Sequence, residues 1–467
     1  MLSTSQIAAR PKTPPATELP PLKMTESTAL SLSDATRTWA YVGVNSFGGP
    51  AGQIAVMHRV LVDERKWVDE KRFLHALNFC MVLPGPEAMQ LAVYVGWLLN
   101  GVIGGVIAGA LFVLPGLAVM SVLAAVYASF GDISWVSALL FGIQAAVVAI
   151  VAQAVVRVGR RSLRTRLLVG LALLSFIAVF LFDTPFPLVV LAALAMGWVA
   201  GRGTSSALGL ADVEDTEVDV ISDQRIRSAR RAGVVALVLW VVPLGLMVLV
   251  LGSENLFSQE AWLFSKTAVV SFGGAYAALA YVAQQAVGQY GWVQPQDMVA
   301  GLGLAETTPG PLVLVMPFVG YLAAYRGADE LGLPAVVAGL IGLVVTAWAT
   351  FLPSFGFVFL GAPSVERLRH NKRVAAALAA VTAAVVGVIA SLGLWFAVHV
   401  FFTEVDEADW GPMRVLRPVW SSVDWWAIAL ALVSGWLIFR IRWGVLRVLA
   451  LVAVAGLLLG VAGLHSG

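Results

Sequence analysis

The residues of strongest chemical character are two pairs of backbone-breaking motifs. Phe47-Gly48-Gly49 and Pro84-Gly85-Pro86 stand in the first half of the chain, Phe272-Gly273-Gly274 and Pro309-Gly310-Pro311 in the second. Glycine admits close approach and unusual backbone angles, and Pro-Gly-Pro removes two amide donors and fixes two φ angles, so each motif interrupts a helical ladder. A helix restarted after a break presents free N–H groups and the positive end of its dipole, which attracts an anion. The segments opening at Pro86 and Pro311 are expected to be such helix starts, with proline at the first helical position.

Polar side chains near the breaks add to this chemistry. Arg59 can offer a fork of donors to a tetrahedral oxyanion, or simply snorkel to the membrane interface. Lys266 lies in an apolar segment shortly before Phe272, where an ammonium is costly and usually functional or paired. Gln90 and Thr308 offer neutral hydrogen bonds, which helix packing can also use. Glu87 and Glu306 flank the two Pro-Gly-Pro breaks. A carboxyl withdrawn from water can exchange a proton near neutral pH, so both are candidates for proton coupling, although Glu87 also suits the first turn of its helix as a dipole partner. His58 and His75 sit at loop edges and are weaker proton carriers. No Walker loop, HExxH or CxxC occurs, the five histidines have no metal-ligand spacing, and Cys80 is the one cysteine. The expectation is a protein that is not an enzyme and holds no cofactor or metal.

The elements that must carry these motifs are membrane helices. Of 467 residues 59% are hydrophobic and 12% charged, too few polar side chains to cover a water-soluble globule. Apolar stretches of spanning length, such as 232–251 and 374–402, meet the need for about 20 apolar residues across a bilayer core of about 30 Å. Helices satisfy their own backbone in lipid, and the alternating ten-residue segments of a β-barrel are absent. The net charge of +2 points to no nucleic-acid partner.

The chain repeats itself at an offset of 225 residues. Ser46-Phe47-Gly48-Gly49 returns as Ser271-Phe272-Gly273-Gly274, Trp67-Val68 as Trp292-Val293, and Pro84-Gly85-Pro86 as Pro309-Gly310-Pro311, with no gap between blocks. Leu114-Pro115 and Leu352-Pro353 extend the match if about a dozen residues are inserted around 326–332. Basic clusters at 157–166, 225–231, 367–373 and Arg440 with Arg442 mark cytoplasmic loops, and the acidic loop 404–409 an external one. Between its motifs the first half carries Arg59, Arg65, Lys66, Lys71 and Arg72, while residues 284–297 carry no Lys or Arg, which implies halves of opposite orientation.

The resulting expectation is an all-α polytopic membrane protein of two inverted-topology repeats, with broken or re-entrant half-helices at the FGG and PGP motifs. Its segments read as a disordered tail (1–33), a first repeat (34–201), a cytoplasmic linker (202–231), a second repeat (232–402), and an external loop with a C-terminal helix pair (403–467). The half-helices of the first PGP hairpin are expected at 73–83 and 87–99. Two half-helix N-termini from inverted halves would then face one midplane site.

The paired motifs resemble those of the chromate ion transporter family. They read SFGGPAGQIAVMHR, RKWVDEKRF, LPGPEAMQLAVYVGW and FVLPG in the first half, and SFGGAYAALAYVAQQ, YGWVQPQDM and LAETTPGPLVLVMPFVGY in the second. The resemblance implies a long-chain, two-domain member in a bacterial inner membrane that exports chromate under the proton motive force, with sulfate as a related anion. Glu87 departs from the neutral or small residue that many relatives place after PGP. The competing reading is an uptake transporter or channel for sulfate or another oxyanion, and a non-transporting scaffold is a third. Protons, the anion and the lipid bilayer are the implied partners, with homodimer formation left open.

The inverted arrangement has a direct test. Cysteines introduced at Lys66 and Gln289 should react with an impermeant reagent from opposite sides of the membrane; labelling from one side would contradict the inversion.

Overall fold

A computed structural model of the chain describes residues 30–131, 133–201, 223–272, 274–362 and 372–464. Most of the tail, most of the linker, Gly273 and the basic residues of 367–371 lie outside the described residues. Among the described residues five helices are long and apolar enough to cross a membrane, and the chain is a multi-pass membrane protein.

The first half opens with α1 (Leu32–Asn45), which ends at the FGG motif, and α2 (Gly49–His58), which widens into a π-helical turn at Arg59–Glu64. Next come α3 (Glu70–Cys80), the PGP break, and α4 (Glu87–Phe130). α4 is bent where Asn100 and Gly101 leave helical geometry, so residues 87–99 form the expected half-helix and the remainder a long span. α5 (Ser134–Ser162), α6 (Arg166–Phe182) and α7 (Phe186–Ala200) complete this half.

After α8 (Asp223–Leu251) the same succession returns. α9 (Leu256–Val270) ends at the second FGG motif; α10 (Ala275–Ala283) widens at Gln284–Gln289; α11 (Pro295–Thr307) leads to the second PGP break. A short 3₁₀ turn (Leu312–Leu314) enters α12 (Val315–Arg326). The two π-helical turns lie 225 residues apart, as do Lys66 and Gly291 behind them, both with positive φ. A short helix, α13 (Ala328–Leu331), occupies the insertion that the repeat requires before α14 (Ala335–Gly361) and α15 (Lys372–Phe401).

A two-stranded antiparallel hairpin, β1 (Val405–Trp410) with β2 (Met413–Pro418), precedes α16 (Trp425–Trp436) and α17 (Val445–Val461). These last helices match α6 and α7 in order, and Arg442 holds a positive φ between them as Asp183 does between α6 and α7.

The halves are tied together by exchange. α6 and α7 pack on α15 of the second half, whereas α16 and α17 pack on α5 of the first. Small residues permit these contacts, as in membrane helix pairs generally. A Cβ at Gly142 of α5 would meet the Val452 carbonyl oxygen at 2.0 Å, and one at Gly387 of α15 the Ala172 carbonyl oxygen at 2.0 Å. The two PGP hairpins also end at opposite ends of α4. Arg225 donates to the Leu98 carbonyl (3.5 Å) near the bend, while the Tyr325 hydroxyl beyond the second PGP break lies 3.4 Å from Ser129 near the C-terminus of α4. On that second face Gln284 donates to the Asp183 carboxylate (2.6 Å), and Arg414 of the hairpin pairs with Asp183 at 3.2 Å.

Gly142→Val and Gly387→Val should each lower the thermal unfolding midpoint in detergent, at a cost of roughly 1–3 kcal/mol for forced overpacking. Gly170→Val, with open space at its Cβ, should leave the midpoint near that of the parent. Unchanged midpoints in the first two variants would contradict the exchanged packing.

Candidate functional site

Each PGP motif leaves one amide between two prolines, and that amide needs an acceptor inside the membrane. The acceptor comes from the opposite half. Gly85 N–H donates to the Ser271 carbonyl at 3.0 Å, and Gly310 N–H donates to the Ser46 carbonyl at 2.9 Å. Ser46 and Ser271 close α1 and α9 and have carbonyls free of any continuing helix. The glycines take φ values of 116° and 95°, a region costly for residues with a Cβ. Pro86 and Pro311 are extended residues capping the helices that follow, so they stand just before the first helical position rather than in it.

Glutamine side chains pin the broken segments. Gln53 donates to the Gly310 carbonyl and Gln90 to the Pro84 carbonyl, each at 2.6 Å, and both amide oxygens are buried without a partner among the described residues. Gln53 thus belongs with Gln90 at the junction. Thr308 donates back to the Leu304 carbonyl (2.7 Å) within its own helix, which leaves only its oxygen lone pairs for another group.

The two carboxyls cross between halves in the same way as the backbone bonds. Glu306, 2% exposed, lies against Gly49 at the start of α2, where an added Cβ would stand 3.4 Å from Oε1. Its Oε1 accepts the Tyr276 hydroxyl at 2.8 Å, while Oε2 has no partner. Glu87, half-buried, lies against Gly274 at the start of α10, with the corresponding distance 3.5 Å. Each carboxyl therefore lies beside the start of a helix of the opposite half, where a helix dipole favours negative charge. Gly85, Pro86, Ser271, Gly274 and Thr350 line a small cavity beside Glu87. Phe47 and Phe272 border the junction as partly buried residues.

Two expected cations lie elsewhere. Arg59 is exposed and pairs with Glu64 at 3.5 Å; Lys266 turns its ammonium over the exposed Trp262 ring, 4.9 Å from the centroid. On α5, Arg157 lies within electrostatic reach of Glu306 and Tyr276, and Arg161 within reach of Glu87. Their spacing of four residues on one helix face was the available signal. His58 lies apart, in the polar cluster behind α2. It bonds Glu70 at 2.5 Å, which raises the imidazole pKa above its ordinary value.

A helical membrane protein with duplicated, interrupted helices, whose breaks hold carboxyls beside helix starts, is by class a membrane transporter. The chain belongs to the chromate transporter family, whose model matches residues 34–198 and 258–461. It is 34% identical to the chromate transport protein of Pseudomonas aeruginosa over 74% of this chain and 76% of that one. It is 28% identical to the probable chromate transport protein of Synechococcus elongatus over 78% and 84% of the respective chains. The chromate transport protein of Cupriavidus metallidurans is 28% identical over 74% of this chain and 78% of its own. No solved structure matches the chain.

Proposed function

We propose that the protein is a secondary transporter that exports chromate from the cytoplasm, driven by the proton motive force. The observation that carries this reading is the placement of Glu306 and Glu87 on the starts of α2 and α10, the helices of the opposite FGG motifs. A tetrahedral dianion suits those same N–H groups. An ionised carboxyl and the dianion therefore compete for one place, and the dianion can settle only when the carboxyl withdraws or is neutralised by a proton. Occupancy by anion and by proton is thereby linked, the requirement for coupled transport.

Arg157 and Arg161 favour entry of the anion from the basic face. The opposite ends at which the PGP hairpins terminate support inverted halves, with the junction near the bilayer midplane. The second repeat then runs through α17, since α16 and α17 repeat α6 and α7. An inside-negative membrane potential drives a dianion outward with about 2.3 kcal/mol per charge per 100 mV, and proton entry adds to that force.

Cells expressing the protein should accumulate less chromate than cells without it, and a protonophore should abolish the difference. Glu306→Gln, which keeps the shape and removes the titrating group, should reduce proton-driven export at least about tenfold, the scale of a lost coupling free energy of 1–3 kcal/mol. Raised accumulation would instead indicate uptake, and a lowered accumulation that survives the protonophore would contradict proton coupling.

A further inference from the structure

A second buried carboxyl lies outside the junction. Glu260 of α9 is fully buried, and neither carboxylate oxygen has a hydrogen-bond partner among the described residues. An ionised carboxylate without a counter-charge is among the most costly groups to place inside a membrane protein. Oε1 abuts the backbone of α14 at Gly342, where an added Cβ would approach to 3.1 Å. Gly342 and Gly320 of α12 meet there closely enough that a Cβ at Gly342 would stand 2.5 Å from the Gly320 carbonyl oxygen. One turn along the same face of α14, the Thr346 hydroxyl is also buried without a partner.

The charged surroundings are sparse. α14 contains no ionisable residue. α12 contributes Tyr321, Tyr325 and Arg326, α10 Tyr276 and Tyr281, and the basic run of α8 lies at that helix's other end. Among the described residues, no cationic side chain forms an ion pair with Glu260. Two carboxylate oxygens and one hydroxyl are too few donors for a cation cage of about six oxygens, so a proton is the fitting occupant.

We infer that Glu260 is a proton-binding site on a route between the face bearing Ser129 and the FGG/PGP junction. On the outward side, the Tyr321 hydroxyl is buried and unpartnered, its ring stacks on Tyr325 at 5.9 Å, and the Tyr325 hydroxyl lies 3.4 Å from the exposed Ser129 hydroxyl. On the inward side, Glu260, Phe264, Thr267 and Ser271 follow one face of α9, about 16 Å from first to last at 1.5 Å per residue. Ser271 is the residue whose carbonyl holds Gly85. The first half has Ala35 at the position equivalent to Glu260, so it carries no corresponding carboxyl. The step is a reversible proton transfer: the carboxylate takes a proton supplied by water at the Ser129 face and later releases it toward the junction.

This inference rests on the proton-coupled reading above, and its test separates the two. Purified full-length protein, with Glu260→Gln and Glu260→Asp beside it, is compared by infrared spectroscopy and in proteoliposomes. The parent should show a protonated carboxylic-acid band at neutral pH that Glu260→Gln removes and Glu260→Asp restores at a shifted frequency. Glu260→Gln should keep chromate/chromate exchange without a gradient yet lose proton-driven net chromate transport at least tenfold, and Glu260→Asp should recover part of it. An unaltered band, or full proton coupling in Glu260→Gln, overturns the inference. So does a sodium requirement that disappears in Glu260→Gln, which would make the occupant a cation. Net chromate transport without any proton movement in the parent defeats the coupled reading, while the infrared comparison still decides whether Glu260 carries a proton.

Discussion

The architecture depends on two reciprocal backbone hydrogen bonds, Gly85 N–H to Ser271 and Gly310 N–H to Ser46. Each satisfies the single amide left between two prolines with a carbonyl released where a helix of the other half stops. Inside a bilayer neither group can turn to water, and each unsatisfied partner would cost several kcal/mol. Neither half can therefore complete its own break. The crossed carboxyls, the Gln53 bond to Gly310 and the exchanged terminal helices are consistent with this mutual dependence, because all of them hold the two halves in one register.

The same constraint underlies the proposed anion site at the junction. Breaking four helical segments at one level exposes helix starts, and the glycines around them leave no side chain between those N–H groups and a ligand. Glu306 and Glu87 now lie at two of these starts. In the proposed mechanism these two carboxyls link the junction to protons, and Arg157 and Arg161 of α5 offset the charge of an arriving anion.

Much of this was legible in the sequence because the chain says it twice. The FGG, Trp-Val and PGP blocks in fixed register located both breaks, and the half-helix at 87–99 ends where Asn100 and Gly101 bend α4. Side-chain direction was not legible. Lys266 is apolar in context, yet helix phase turns it onto Trp262, while Arg157 and Arg161 read as an ordinary positive-inside cluster although their helix directs them toward the junction. The kinship of the C-terminal pair was faint for another reason. The hairpin at 405–418 breaks the register, leaving only the short likeness of Leu171-Ala172-Leu173-Leu174-Ser175 to Leu430-Ala431-Leu432-Val433-Ser434, buried at its first Leu and at its Ala and Ser in both copies. Glu260 has no repeat partner, so comparison of the halves could not draw attention to it.

The central claim is that the dianion and the Glu306 carboxyl contend for the start of α2. A crystal structure with chromate bound, located by the anomalous scattering of chromium, tests it most directly. The account predicts chromium beside Gly49 with the Glu306 side chain moved away from the glycine it now covers. Chromium bound only at the protein surface, with Glu306 still bonded to Tyr276 and resting on Gly49, would contradict it.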